Sequence, residues 1–123
     1  MSADDLELAR RFLDALESAT KTGEREAVFP FLAPDVVWVR PGRTLNGIEE
    51  IRELLTWGTP RDKLDVEFEE PTMRDLGDGH VVLDVREVYR MRDTNDFAYA
   101  RDRQIDLMIC EGSITRYEMR MPD

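Results

Sequence analysis

The sequence holds one cysteine, Cys110, and one histidine, His80. A single thiol cannot close an internal disulfide, and a single imidazole excludes a His-rich metal site or a structural zinc site. A Ser-His-Asp or Cys-His centre would have to use His80, which directly follows the hairpin-turn signal Gly77-Asp78-Gly79, and a turn tip is a poor place for a buried base. The seven glycines never fall as GxGxxG or GxxxxGK, so no phosphate-cradling loop is written in the chain. No apolar run approaches the roughly 20 residues that span a bilayer, and the start MSADDLELARR lacks the basic segment and apolar core of a signal peptide. Basic side chains are the minority, 17 against 27 acidic ones, and the net charge of −10 repels phosphate backbones and anionic lipid. The expectation is a cytoplasmic protein without nucleic-acid or membrane partners, with no metal ligands and no organic cofactor.

The 123 residues match one domain, 1–123, and 41% hydrophobic content is enough for one core without staples. Leu6, Ala9, Phe12, Leu13 and Leu16 form a helical apolar stripe after a capping-box pattern of Ser2 and Asp5, which predicts a helix to about Thr20. A second, shorter helix starts at Gly23 and carries Val28 and Phe29 until Pro30 and Pro34 end it. Asp35 to Arg40 reads as a strand stopped by Pro41-Gly42. Asn46, with Glu49 as its N3 partner, starts a third helix whose apolar face is Ile48, Ile51, Leu54, Leu55 and Trp57. From Lys63 the period changes from 3.6 to 2, and runs at 63–69, 80–92, 97–110 and 113–121, separated by turn residues, predict long antiparallel strands. Helices followed by strands give an α+β class: three N-terminal helices packed in a curved antiparallel sheet.

This order, with Phe31-Leu32-Ala33-Pro34-Asp35-Val36-Val37-Trp38, Leu45-Asn46-Gly47-Ile48-Glu49-Glu50-Ile51-Arg52 and the late run Glu111-Gly112-Ser113-Ile114-Thr115-Arg116-Tyr117, resembles the nuclear transport factor 2-like superfamily, a cystatin-like α+β cone. The resemblance covers nearly the whole chain. It implies a pocket inside the cone and a range of activities that includes ketosteroid isomerases, SnoaL-like polyketide cyclases, dehydratases and limonene-epoxide hydrolases, beside members that only bind or dimerise. Three departures stand out. Met119 lies where the hydrolases and cyclases carry a catalytic aspartate, Arg40 lies where the isomerases place their base, and Arg86 with Glu87 replaces an Arg-x-Asp pair.

Between His80 and Arg92 the alternation puts Val81, Leu83, Val85, Glu87, Tyr89 and Met91 on one face, nearly all apolar, which predicts that Glu87 points into the cone. The next strand carries Tyr99, Arg101 and Arg103 toward the mouth on its apolar face. Two readings stay open. In the first, Glu87 transfers a proton, Arg103 or Arg40 holds developing negative charge, and Trp38, Trp57, Tyr89, Tyr99, Tyr117 and Met119 line a site for a compact hydrophobic or polycyclic molecule. In the second, Glu87 is a structural bridge to Arg103 or Arg40, the aromatics are core, and the domain binds or dimerises without chemistry. A homodimer through the outer sheet face is expected from Val82, Val88, Met108 and Ile114.

Overall fold

The computed structural model describes residues 2–22, 26–54 and 64–121. Helix α1 spans Ser2–Thr22, and its stripe of Ala9, Phe12, Leu13, Leu16 and Ala19 is buried against the sheet. The expected second helix is, among the described residues, a single 3-10 turn at Phe29–Phe31. Pro30 inside so short a segment removes the donor that an α-turn needs next, and Leu32 already has extended backbone.

Strand β1 (Leu32–Arg40) turns at Pro41-Gly42 into β2 (Arg43–Asn46), a strand that reads poorly in the sequence because Leu45 alone is buried in it. Helix α2 (Ile48–Leu54) follows. Its first turn is closed by Glu50, whose Oε1 accepts the Asn46 N–H at 2.9 Å, so Glu50 takes the position expected for Glu49. Strands β3 (Leu64–Phe68), β4 (Thr72–Gly77), β5 (His80–Met91), β6 (Phe97–Cys110) and β7 (Ser113–Arg120) complete one seven-stranded sheet. β3 and β4 pair with successive halves of the long β5, and the order across the sheet is β2-β1-β7-β6-β5-β3.

The sheet is mixed, not antiparallel throughout, because β1 and β7 run parallel with Trp38 beside Tyr117. Two α-helices among the described residues, instead of three helices, cover its inner face. The hairpin at Asp78-Gly79 has left-handed backbone at both positions, φ 54° and 82°. Gly79 also passes so close to the Ile109 carbonyl that a methyl group there would collide with it.

Two bulges redirect side chains. A register shift between Met108 and Ile109 brings Ile114 opposite Ile109 and into the core, so Ile114 does not lie on the outer face. A second shift at Tyr89/Arg90 sets Phe97 opposite Arg90 and away from the inner row that holds Tyr99. Val82 and Val88 are covered by neighbouring side chains, and the outer face carries ion pairs such as Arg86–Asp102 at 3.1 Å and Arg120–Asp106 at 2.7 Å. The apolar patch from which a dimer was expected is therefore mostly covered within the chain. Among the described residues no helix is long and apolar enough to cross a membrane.

α1 is tied to the β3–β4 edge by two polar contacts. Glu17 Oε2 accepts the Phe68 N–H at 2.7 Å, and the Arg10 guanidinium meets Glu70 at 2.7 Å.

Candidate functional site

The inner face of the β5–β6 ladder changes character along its length. Cross-strand pairs Val81/Leu107 and Leu83/Ile105 lie under the helices, followed by Val85/Arg103, Glu87/Arg101 and Tyr89/Tyr99 toward the open end. Pairs directly opposite in an antiparallel ladder share a face, so period-2 alternation alone lines up two arginines, one carboxylate and two phenols. Val81, Leu83 and Val85 are fully or nearly fully buried, whereas Arg86 projects outward.

Glu87 is 13% exposed in its side chain, and its Oε1 collects three groups. The Tyr89 hydroxyl donates to it at 3.0 Å, Arg103 Nε lies 3.2 Å away, and Arg101 approaches at 3.6 Å. Arg101 also donates to the Tyr89 hydroxyl at 2.7 Å and sits above the Tyr89 and Tyr99 rings, which stack with centroids 4.5 Å apart. The Arg103 ion pair is off-angle, so Nε makes no hydrogen bond, and the Arg101 Nε is likewise buried with no hydrogen-bond partner among the described residues. The outer edge of Arg103 meets sulfur: NH1 lies 3.3 Å from Met119 Sδ and 2.9 Å from Met121 Sδ. Thioethers are weak acceptors for so strong a donor.

Deeper in the cone, three aromatic side chains among the described residues pack together. Trp38 and Tyr117 stack at 3.7 Å with an interplanar angle of 13°, and Phe12 meets both edge-on. Trp38 is 2% exposed, Tyr117 5% and Met119 6%, all within the hydrophobic core. Arg40, at the end of β1, is partly buried and acts on Tyr117 through its charge. Burial raises the Tyr117 pKa well above the ordinary phenol value; Arg40 and Arg103 oppose the shift and Glu87 adds to it. The Tyr89 pKa is raised as well, by burial first and by the Glu87 charge second.

Folded protein therefore keeps these two phenol protons at pH values where the unfolded chain loses them. The stability they contribute is complete below about pH 10 and is lost as pH rises toward the folded values. Urea titrations at about pH 9 and about pH 11 are expected to show a larger drop for the wild type than for Tyr117→Phe; equal drops would contradict this assignment.

The structure thus brings Glu87, Arg103, Tyr89 and Tyr99 together near the mouth and puts Trp38, Tyr117 and Met119 in the packed interior. Trp57 lies outside the described residues. Arg101 joins the cluster at the mouth, where the alternation of β6 places it, and Met121 joins it without having been expected there. The signal for Met121 was the alternation Tyr117, Met119, Met121 continuing past the end of the last strand. Among the described residues, no three His, Cys, Asp or Glu side chains gather as a metal-ligand set. A separate cleft of about 580 Å³ lies at the other end of the ladder, between the start of α1 and the β6–β7 turn, and carries Asp4, Asp5, Glu7 and Glu111 beside Arg11.

No family model matches the chain, and no curated protein does. Solved structures do match. An NTF2-like protein from Anabaena variabilis superposes with a TM-score of 0.75 at 15% identity, over 100% of this chain and 92% of its own. TerC co-crystallized with polyporic acid gives a TM-score of 0.66 at 21% identity, over 97% and 92%. A protein of ketosteroid isomerase-like fold from Catenulispora acidiphila, in complex with trimethylamine, gives 0.63 at 18% identity, over 89% and 83%. At such identities the likeness is one of fold.

Proposed function

We propose that this chain, which has the nuclear transport factor 2-like fold, is a single ligand-binding domain that takes a compact hydrophobic molecule at the mouth of the cone, and that Glu87 is a structural bridge and not a proton carrier. One observation carries the reading: the Glu87 carboxylate is already engaged by Arg103, Arg101 and Tyr89. A general base must present a free lone pair to the substrate proton, and here the Oε1 that faces the cluster accepts from the Tyr89 hydroxyl and lies within ion-pair distance of Arg103 and Arg101. Trp38, Tyr117 and Phe12, packed on one another, take up interior space among the described residues that a buried polycyclic substrate would otherwise use.

The exposed side of Tyr99, with Met91 nearby on β5, supplies the apolar surface on which a small ring system can rest. Binding of small molecules by TerC and by the Catenulispora protein is in keeping with a ligand role for the fold, while the charge and shape of the ligand here depend on this chain's own residues. The proposal needs no second copy of the chain, and it has the domain working in the cytoplasm.

An amide NMR titration with naphthalen-2-ylmethanol tests it. Resonances of Tyr89, Tyr99 and Arg101 are expected to move together and saturably, with the probe recovered unchanged. Shifts centred on Trp38 and Phe12 would place the ligand in the interior and overturn the reading.

A further inference from the structure

The cluster at the mouth has one carboxylate for two guanidiniums. Glu87 serves both Arg101 and Arg103, and among the described residues neither arginine has another carboxylate within ion-pair reach. Arg103 is nine-tenths buried, which limits how far water can make up the difference. Among the described residues, its NH1 reaches only the sulfur atoms of Met119 and Met121, and the Nε groups of both arginines are buried without a hydrogen-bond partner. Guanidiniums buried in this way are ordinarily matched by bidentate oxygen acceptors. Of the two thioethers, Met119 is fixed in the core, but Met121 is 43% exposed on a flexible unbranched side chain. An entering anion could therefore take the place of Met121 at NH1 without disturbing the core.

We infer that the mouth of the cone is a site for a flat aromatic carboxylate, whose oxygens replace the Met121 sulfur on Arg103 while its ring rests against the exposed side of Tyr99. This names the class of ligand and rests on the ligand-binding reading above. The protein as a whole carries a net charge of −10, which disfavours anions at long range, so selection for one would have to come from these two arginines at contact distance.

Calorimetric titration with three probes of one ring system separates the possibilities: 2-naphthoate, naphthalen-2-ylmethanol and naphthalen-2-ylmethylammonium. Naphthoate is expected to bind roughly tenfold or more tighter than the alcohol, and the ammonium weakest, because a charge-assisted hydrogen bond in a buried setting is worth that much. Arg103→Gln is expected to abolish the preference. Since that variant removes a buried ion-pair partner and can fail to fold, Arg101→Gln, at a partly exposed position, provides the second arm and should reduce naphthoate affinity several-fold more than it reduces alcohol affinity. Equal affinity for naphthoate and alcohol, or an Arg101→Gln variant that weakens both equally, would overturn the carboxylate inference and leave a ligand-binding domain standing. Failure of all three probes to bind at millimolar concentration would overturn both.

Discussion

Replacing Glu87 with Gln should lower the unfolding free energy by about 3–5 kcal/mol, because it leaves a nine-tenths-buried guanidinium without its counter-charge. Gln has nearly the shape of Glu and can still accept from the Tyr89 hydroxyl, so the loss isolates the charge and not the packing. Arg101, one-third exposed, can turn to water, but Arg103, 10% exposed, cannot. Urea unfolding of the two proteins at neutral pH measures the difference. A Glu87 held unpaired for catalysis would show the opposite sign, since a desolvation cost would disappear with the charge. A variant as stable as the wild type, or more so, would remove the structural bridge from the account.

Trp38→Ala should cost a similar amount, about 3–5 kcal/mol, as expected for a fully buried large aromatic whose neighbours close only partly around the gap. The lost contacts are the Tyr117 stack and the Phe12 edge. The resulting cavity is apolar on the sides formed by Phe12 and Tyr117, and free indole should fill it and raise the melting temperature by mass action. Had Trp38 lined an open ligand site, its truncation would cost little stability and would weaken ligand binding instead. A melting temperature within a degree or two of wild type would support that alternative and count against a filled interior.

What the chain discloses about itself follows the range of each interaction. The α1 stripe and the two faces of β5 repeat at a fixed local period and bury one side, so Ala9, Phe12, Leu13, Val81, Leu83 and Val85 can be placed from sequence alone. The same alternation placed Glu87, Arg103 and Tyr99 on one row, because an antiparallel ladder without a bulge between Val85 and Tyr89 preserves the face. Where a bulge intervenes, as at Met108/Ile109, alternation predicts the wrong side, and Ile114 is an instance. β2 and β4 were missed because an edge strand buries little: Leu45 in β2 and Met73 in β4 are the residues that pack on the core. The parallel β1–β7 pairing joins segments about 80 residues apart and leaves no local period to read. The meeting of Arg103 with Met119 and Met121 is of the same kind, a contact across strands that only the register of β6 on β7 reveals. Composition does show that such a bridge is affordable here: 36% charged residues with both signs interleaved supply partners on either face of the sheet.

Glu87 and Arg103 act on each other as a buried pair at the mouth of the cone. A double-mutant cycle of Glu87→Gln, Arg103→Met and the combined variant, measured by equilibrium unfolding, tests it most directly. A coupling energy of about 2 kcal/mol or more is expected, with the double variant more stable than the sum of the single losses implies. Single losses that add to within about 0.5 kcal/mol would contradict it, for they would mean that each side chain is held by something other than its partner.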